Sequence, residues 1–247
     1  MRRFAIGAVA LSGITGSAVA ADLRPSAPPM YGIPAAVPAA QGWSGFYIGA
    51  NAGGGVGMGS SSFAVGAVPF ATVSNPLSGA LGGVHGGYNW QSGSVVFGIE
   101  ADFEFTGITG RVDAPTCPAA ICGVATSAGY GQKMPWFGTV RGRLGYASAG
   151  WLAYVTGGYA YGHLDTTASA TAGAVTATFN GSETRHGWVA GGGVEFALTA
   201  NWSARFEYLH LDFGGGTTNL TFAGLPTIAD NARMTMEIVR AGVSYRF

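Results

Sequence analysis

The chain ends on the stretch VRAGVSYRF (239–247), in which apolar and polar residues alternate up to the last position. An alternation of period two predicts a β-strand with one apolar and one polar face. Chain ends are rarely patterned in this way, because most are loosely held. The pattern therefore predicts a terminal strand that is held along its whole length. Its apolar face carries Val239, Ala241, Val243, Tyr245 and Phe247, and its polar face carries Arg240, Gly242, Ser244 and Arg246.

The same period recurs in seven earlier segments. The clearest is SVVFGIEADFEF (94–105), which puts aromatic and branched residues on one face and Glu100, Asp102 and Glu104 on the other. Each segment has about ten residues or a little more, the length that a tilted strand needs to cross a bilayer. The other six are WSGFYIGANAGGGVG, SGALGGVHGGYNWQ, MPWFGTVRGRLGYAS, WLAYVTGGYAYG, HGWVAGGGVEFAL and WSARFEYLHLDF.

The links between the eight segments alternate between short and long. The short links are Ser92-Gly93, 147–150 and 199–201, and the long links lie near 58–77, 107–133, 164–184 and 214–232. Outer-membrane barrels have tight turns on the periplasmic side and long loops outside. The sequence therefore predicts an all-β fold: an eight-stranded antiparallel transmembrane β-barrel with short periplasmic turns and four long extracellular loops.

The composition agrees with a surface that meets lipid. The net charge is zero, and charged residues make up 10% of the chain, against about 25% in ordinary soluble domains. Aromatic residues account for 12%, and 43 residues are glycine. No cluster of lysine or arginine could neutralise phosphates, which argues against nucleic acid as a partner.

The N-terminal segment has the pattern of an export signal. Arg2 and Arg3 precede the apolar run 4–21, and Ala18-Val19-Ala20 supplies the small residues of a cleavage site. We expect residues 1–20 to be a signal peptide, with an uncleaved membrane anchor as the alternative. Residues 21–42 are rich in Pro and Ala and indicate a periplasmic linker, or less readily a partner-binding segment. The barrel is predicted over 43–247.

The charged residues of the strands fall on the face opposite the aromatic residues. Lipid offers no hydrogen bonds, so a β-protein spans it as a closed sheet, with its apolar face outward. Eight strands enclose a space just wide enough to be filled by side chains. We therefore expect a salt-bridge network that plugs the lumen; the alternative is a selectivity filter or a proton path. The predicted network comprises Glu100, Asp102, Glu104, Arg141, Arg143, Glu195, Arg205, Glu207 and Arg240, with Arg246 in the same phase.

Aromatic residues bracket the strand segments, as expected of rings at the boundary between headgroups and hydrocarbon. Phe247 then closes the last strand at the periplasmic boundary, where its carboxylate meets water. Glu237 fits the pattern poorly, because it shares the lipid-side phase of Val239. The predicted girdle comprises Trp43, Trp90, Trp136, Tyr146, Trp151, Trp202 and Tyr245, with Tyr88 and Phe247.

Two cysteines occur in CPAAIC, at Cys117 and Cys122. In an exported chain a close pair of cysteines favours a disulfide that staples one loop. Zinc is the competing interpretation, but it would need two further ligands, and no histidine lies near in sequence.

Two His-x-Asp spacings are candidates for a catalytic site. His163 precedes Asp165 and His210 precedes Asp212, so each pair shares one strand face and could serve a hydrolase at the outer rim. The alternative, which we favour, is that these polar residues mark where strands leave the membrane. No serine or carboxylate pair reinforces either site, and the histidines lack metal-ligand spacing. The sequence predicts no active site, metal or cofactor.

Several motifs are similar to those of a known family. They are WSGFYIGANAGGGVG (43–57), GGYNWQ (86–91), the E-x-D-x-E strand that follows and the terminal VSYRF. Together they resemble the Omp25/Omp31-type outer-membrane proteins of alphaproteobacteria, within the wider OmpA-transmembrane-like, opacity-type porin family. The resemblance covers 43–247. It implies an abundant eight-stranded outer-membrane protein that supports envelope integrity and contacts the host or environment.

The resemblance also implies partners. These are outer-membrane lipid, surface ligands of the host or environment, and the barrel-assembly machinery, which would read Phe247 with a contribution from Tyr245. The leading hypothesis is a structural and surface-interaction barrel without catalysis. The alternatives are a small-solute pore, then a rim hydrolase, and last a soluble ligand-binding barrel.

Overall fold

A computed structural model describes residues 42–65, 68–113, 126–220 and 228–247. The predicted signal peptide, the linker before Gly42, and Cys117 with Cys122 lie outside the described residues. Within the described part, no helix is long and apolar enough to cross a membrane. The described residues form eight strands: β1 (Gly45–Val65), β2 (Val68–Ser92), β3 (Val95–Asp113), β4 (Thr126–Ser148), β5 (Trp151–Ala172), β6 (Val175–Ala197), β7 (Trp202–Leu220) and β8 (Ile228–Arg246).

The strands close into a barrel. Each strand pairs antiparallel with the next, and β8 returns to pair with β1, with Tyr245 opposite Ile48. The last residue is held as well, since the Phe247 amide donates to the Phe46 carbonyl over 3.0 Å. The predicted closed all-β fold is therefore confirmed, and the terminal strand is paired on both sides.

The two faces of the wall follow the alternation in the sequence. Phe97 and Ile99 of β3 are 49% and 59% exposed on the outside, whereas Glu100 and Asp102 of the same strand are buried inside. The barrel thus has an apolar exterior and carries its charges within, as a sheet in hydrocarbon requires. The same division holds on other strands, with Phe46, Ile48, Val84, Val140, Leu144, Val155, Phe206 and Val243 exposed.

The short links are tight hairpin turns. The β2–β3 turn contains Gly93 at φ 60°, and the β4–β5 turn contains Ala149 at 43° and Gly150 at 88°. In the β4–β5 turn the two successive positive φ values give the backbone twist that matches a right-handed pair of strands, and glycine adopts such values without strain. The third short link runs through 198–201.

The strands are much longer than the predicted ten residues, and the predicted long loops were wrong in extent. Their lengths run from 19 residues in β3 to 25 in β2. Residues 58–77 lie mostly within β1 and β2, and 164–184 forms a hairpin closed by Gly173. Threonine, which favours extended backbone, is frequent in that hairpin, and the strands stay paired up to its turn. Part of 107–133 and of 214–232 lies outside the described residues.

The ring of hydrogen bonds does not extend to the outer end of every strand. Pairing of β6 with β7 stops at Trp188 opposite Asp212, and pairing of β2 with β3 stops at Ser78 opposite Thr109. Beyond these points the described strands pair only within two groups. One four-stranded sheet is β7-β8-β1-β2, and the other is β3-β4-β5-β6.

The split between β6 and β7 predicts a specific pattern of amide exchange. The Ala197 amide donates toward β5 and the Leu198 amide toward Trp202, so odd and even residues of β6 present their amides to opposite sides. In hydrogen-exchange NMR of the protein in lipid nanodiscs, we expect fast exchange at Thr178 and Ser182 and slow exchange at Ala177 and Gly181. Equal protection of the two sets would contradict the split.

Candidate functional site

The inner wall of the barrel places acids directly opposite bases. Opposite charges at facing positions of neighbouring strands attract each other, and here they do so away from water. The pairing brings the predicted charges to one level of the lumen. The facing pairs are Glu100 and Arg141, Glu195 and Arg205, and Glu207 and Arg240.

Arg141 is the centre of the cluster. Its Nη2 lies 2.5 Å from Glu100 Oε1 and 2.7 Å from Asp102 Oδ2. Its Nη1 lies 3.0 Å from Glu207 Oε1, on the other side of the barrel. The side chain is 0% exposed. One guanidinium therefore joins carboxylates of β3 and β7 through charge-assisted hydrogen bonds.

Arg240 forms a second bridge across the lumen. Its Nη2 lies 2.9 Å from Asp102 Oδ2 and 2.6 Å from Glu207 Oε2, and its Nη1 bonds Glu104. Arg205 Nη1 lies 2.5 Å from Glu100 Oε2. Arginine suits these positions because its fixed fork of donors can bind several carboxylate oxygens at once.

Arg143 anchors the cluster on the periplasmic side. Its Nη2 lies 2.9 Å from Glu195 Oε2, and its guanidinium stacks 4.0 Å from the centre of the Tyr154 ring. Ser203 Oγ donates to Glu195 Oε1 over 2.6 Å. The structure thus brings together all nine residues of the predicted network.

Neutral hydroxyl groups, which were not predicted, complete the cluster. Tyr47 donates to Glu100 Oε2 over 2.8 Å, and Tyr154 donates to Glu207 Oε1 over 3.0 Å. Thr139 donates to Asp102 Oδ2 over 2.9 Å. Each of these oxygens also accepts from an arginine, so the hydroxyls add a second kind of donor to the buried carboxylates. In the period-two pattern these residues lie on the same strand face as the charged residues, and this shared face could have identified them.

Glycines on the inner wall make room for the two tyrosines. A Cβ atom at Gly87 would lie 2.5 Å from Tyr47 Oη, and one at Gly193 would lie 2.7 Å from Tyr154 Oη. Both distances are shorter than van der Waals contact, so neither position accepts a side chain without moving its tyrosine. Bare backbone at these positions lets each aromatic side chain lie along the wall and reach the cluster.

Two apolar layers, which sequence reasoning missed, enclose the cluster. The outer layer fills the lumen on the extracellular side of the charges, because Leu209 and Leu211 follow Glu207 along β7. The smaller inner layer lies near the periplasmic turns. The outer layer comprises Leu77, Leu81, Ile108, Met134, Phe137, Ala160, Leu164, Val189, Leu209, Leu211, Phe213, Met234, Met236 and Ile238; the inner comprises Trp43, Val96, Ala147, Leu152 and Tyr154.

Two predicted positions need correction. Trp43 was expected in the aromatic girdle, but it is only 4% exposed and packs in the inner apolar layer. It precedes β1, so the strand alternation does not set its direction. Arg246 shares the phase of the network but does not join it. It lies at the end of the barrel, with its guanidinium 5.0 Å from the Trp43 ring and its Nη2 donating to the Ala200 carbonyl.

The remaining girdle residues lie on the outer surface. Trp202 packs edge-on against Tyr245, and Tyr245 against Phe247, each with ring centres 5.3 Å apart. Trp136 stacks on Phe103 with centres 5.5 Å apart, toward the opposite end of the strands. Trp90, Tyr146, Trp151 and Trp202 are exposed beside the periplasmic turns.

Glu237, which fitted the sequence pattern poorly, has partners on the outer surface. Its Oε1 lies 2.6 Å from His210 Nδ1, and the Tyr208 hydroxyl donates to its other oxygen. His210 and Asp212, the less favoured catalytic candidate, therefore have other partners and do not pair with each other. Asp212 instead lies 2.6 Å from Arg233 and accepts a bond from the Gly214 amide.

The other histidine candidate forms a loose pair. His163 Nε2 lies 3.4 Å from Asp165 Oδ1, and the imidazole stacks on Trp136 with ring centres 5.7 Å apart. Within the residues described, no group of three His, Cys, Asp or Glu side chains could hold a metal ion. The rim histidines thus pack as members of the outward aromatic band.

Comparison with known proteins places the chain among outer-membrane proteins. Residues 26–247 match the family model described as the outer membrane protein beta-barrel domain. The 31 kDa outer-membrane immunogenic protein of Brucella melitensis is 35% identical over 243 residues, which cover 94% of each chain. The 22 kDa outer membrane protein of Rhizobium leguminosarum is 31% identical over 72% of this chain and 68% of the relative. These names denote outer-membrane proteins and no enzyme.

A solved structure agrees in fold. The outer membrane protein OprG of Pseudomonas aeruginosa has a TM-score of 0.53 with this chain, at 11% identity, and the match covers 83% of this chain and 97% of that one. This likeness concerns the fold alone.

Removal of the central arginine should destabilise the barrel more than neutralisation of a peripheral acid. Arg141→Met leaves three buried carboxylates short of a partner, so we expect a loss of about 3–5 kcal/mol in the free energy of unfolding. Glu104→Gln should cost less, because Glu104 contacts only Arg240 among the arginines. The Glu104→Gln substitution also makes the numbers of negative and positive groups equal, because the cluster holds five carboxylates and four guanidinium groups.

Urea unfolding in lipid vesicles, followed by tryptophan fluorescence, measures both changes. Electrophoresis of boiled and unboiled samples checks that each variant reaches the folded state. Equal losses for the two variants would contradict a central role for Arg141.

Proposed function

Because the chain belongs to the outer membrane protein beta-barrel domain family, we propose that it is a structural and surface-interaction barrel of the outer membrane, without catalysis, whose lumen is closed by stacked layers of side chains. The observation that carries this proposal is the cross-lumen bridging by Arg141 and Arg240, with apolar layers on both sides.

The combination of a charged layer with apolar layers supports a closed lumen better than a charged layer alone would. Charged side chains in an eight-stranded barrel could part to admit water and ions. Here an ion would also have to pass the outer apolar layer, where Phe137, Ile108 and Met236 are 0% exposed. An apolar constriction opposes the entry of hydrated ions, because nothing on its walls replaces their hydration. Closure therefore rests on two independent barriers.

The outer surface supports a role in the envelope. Its apolar band is bounded by rings at both ends, which fixes the barrel in lipid. Beyond this band the strands carry hydroxyl-rich segments, such as 166–172, out of the membrane. Such segments suit exposure to water and contact with surface partners more than they suit chemistry.

The end of β8 supports a further part of the proposal. Phe247 is 76% exposed and packs edge-on against Tyr245, while its amide donates to the Phe46 carbonyl of β1. We take these two rings to be the signal that the barrel-assembly machinery reads. The rings are accessible from the periplasmic side even in the closed barrel.

Conductance tests the closed lumen. In planar bilayers the purified protein should give no stepwise currents above leak, and neither should a variant carrying Arg141→Ala and Arg240→Ala, because the apolar layers remain. Boiled and unboiled electrophoresis verifies folding before each recording. Steps from the wild type would replace the proposal with a small-solute pore. Steps from the variant alone would show that the apolar layers do not close the lumen.

A further inference from the structure

We propose that the charged layer of the lumen binds one proton, which is held by the carboxyl group of Glu104 and hydrogen-bonded to the side-chain amide of Asn51. The charged layer is the set of nine acidic and basic residues that form the predicted network. The inference rests on the closed lumen of the proposed function, because water in the lumen would screen an unbalanced charge.

The charged layer contains one more acid than bases. Its five carboxyl groups lie on β3, β6 and β7, and its four guanidinium groups lie on β4, β7 and β8. Each of the nine residues is at most 5% exposed. Arginine stays ionised in proteins, so the layer would carry one negative charge if every acid were ionised. An uncompensated charge away from water is strongly unfavourable, and one bound proton removes it.

Glu104 has fewer hydrogen-bond donors than any other acid of the layer. Its Oε1 accepts from Arg240, whereas its Oε2 has no donor among the described residues, although the side chain is 0% exposed. Asp102 also has one oxygen without a donor, but its other oxygen accepts from both Arg141 and Arg240. The remaining three acids have a donor on each oxygen. The ionised form is therefore least supported at Glu104.

Asn51 of β1 lies next to Glu104 and offers an acceptor. The register places Asn51 opposite Gly83 of β2, and Gly83 opposite Glu104 of β3. A Cβ atom at Gly83 would lie 2.4 Å from Glu104 Oε2, so the carboxyl group lies over bare backbone. The Asn51 side chain is close enough to interact with Glu104, yet it completes no hydrogen bond to Oε2.

The amide of Asn51 and the carboxyl group of Glu104 together lack one donor. Asn51 is 8% exposed, and its Oδ1 has no donor among the described residues, as is the case for Glu104 Oε2. Buried polar atoms are rarely left in this state. A proton on Glu104 Oε2 turns one of the two acceptors into a donor, which the other can accept. The same proton thus balances the charge and completes the hydrogen bonding.

His85 of β2 is the other group in the lumen that could take up the proton. Its Nε2 lies 2.8 Å from Ser244 Oγ, and its Nδ1 lies 3.5 Å from Asn51 Nδ2. Because Asn51 Nδ2 has only hydrogens to offer, Nδ1 acts as an acceptor and the ring is neutral. Arg205 and Arg240 also repel a charged imidazole here. The other charged or titratable groups around the layer are Tyr47 (β1), Glu100 and Asp102 (β3), Arg141 and Arg143 (β4), Tyr154 (β5), Glu195 (β6) and Glu207 (β7).

Infrared spectroscopy tests the proposal directly, because a protonated carboxyl group has a C=O stretching band that a carboxylate lacks. The full chain in lipid vesicles at neutral pH should show this band, and Glu104→Gln should lose it. Asp113→Asn is the matched control and should keep the band, because it removes an acid whose side chain is 63% exposed outside the layer. Asn51→Leu removes the acceptor and should shift the band, so it identifies the acid even if Glu104→Gln fails to fold.

The pH dependence of unfolding is a second measurement. A glutamate of the unfolded chain is ionised above about pH 4.3, whereas the folded barrel keeps the proton. The folded state then binds one more proton, so stability falls as the pH rises. In urea unfolding, the equilibrium constant for unfolding of the wild type should rise about tenfold per pH unit relative to that of Glu104→Gln.

Absence of the band in the wild type, or its retention in a folded Glu104→Gln variant, would overturn the proposal. Equal pH dependence of the two proteins would overturn it as well. An imidazolium signal from His85 in NMR, with no carboxyl band, would move the proton to that residue. Bilayer conductance is read separately: stepwise currents reject the closed lumen, whereas a silent bilayer without the infrared band rejects the proton alone.

Discussion

Hydrocarbon cannot hydrogen-bond to a peptide group, and the architecture of this protein depends on that constraint. Where the outer face is apolar, all eight strands pair on both sides and no edge is left. Beyond the outer aromatic band water can satisfy the backbone, and there the ring opens between β2 and β3 and between β6 and β7. The extent of closure thus follows the extent of the lipid.

The same constraint determines what fills the lumen. Aromatic and branched residues are required on the outside, so the inner phase of each strand must supply the packing for a narrow space. The strands solve this in layers, with apolar residues near the turns, charges in the middle and apolar residues again beyond. A buried charged layer is stable only where its charges are paired, and Arg141 and Arg240 each meet carboxylates from two strands.

Sequence patterns predicted the features that are set within a single strand, namely which side chains face the lumen and which face outward. Period two identified the faces, so Glu100, Arg141 and Glu207 could be assigned to the lumen. Features that depend on register between distant strands could not be found in this way. His210 is paired with Glu237 and not with Asp212, because the register of β7 with β8 places Glu237 directly opposite His210. The apolar layers were missed because Leu209 and Arg205 share one phase, and phase alone does not give height in the barrel.

The division of the outer strands into two sheets has a consequence for how the chain folds. The sheet β3-β4-β5-β6 contains only pairings between strands adjacent in sequence, which close short loops. The sheet β7-β8-β1-β2 contains the one seam that joins the two ends of the described chain, β1 to β8. Loop-closure entropy rises with the separation of the paired segments. The topology therefore places the largest entropic cost of assembly on that seam, while the other sheet can form from local hairpins.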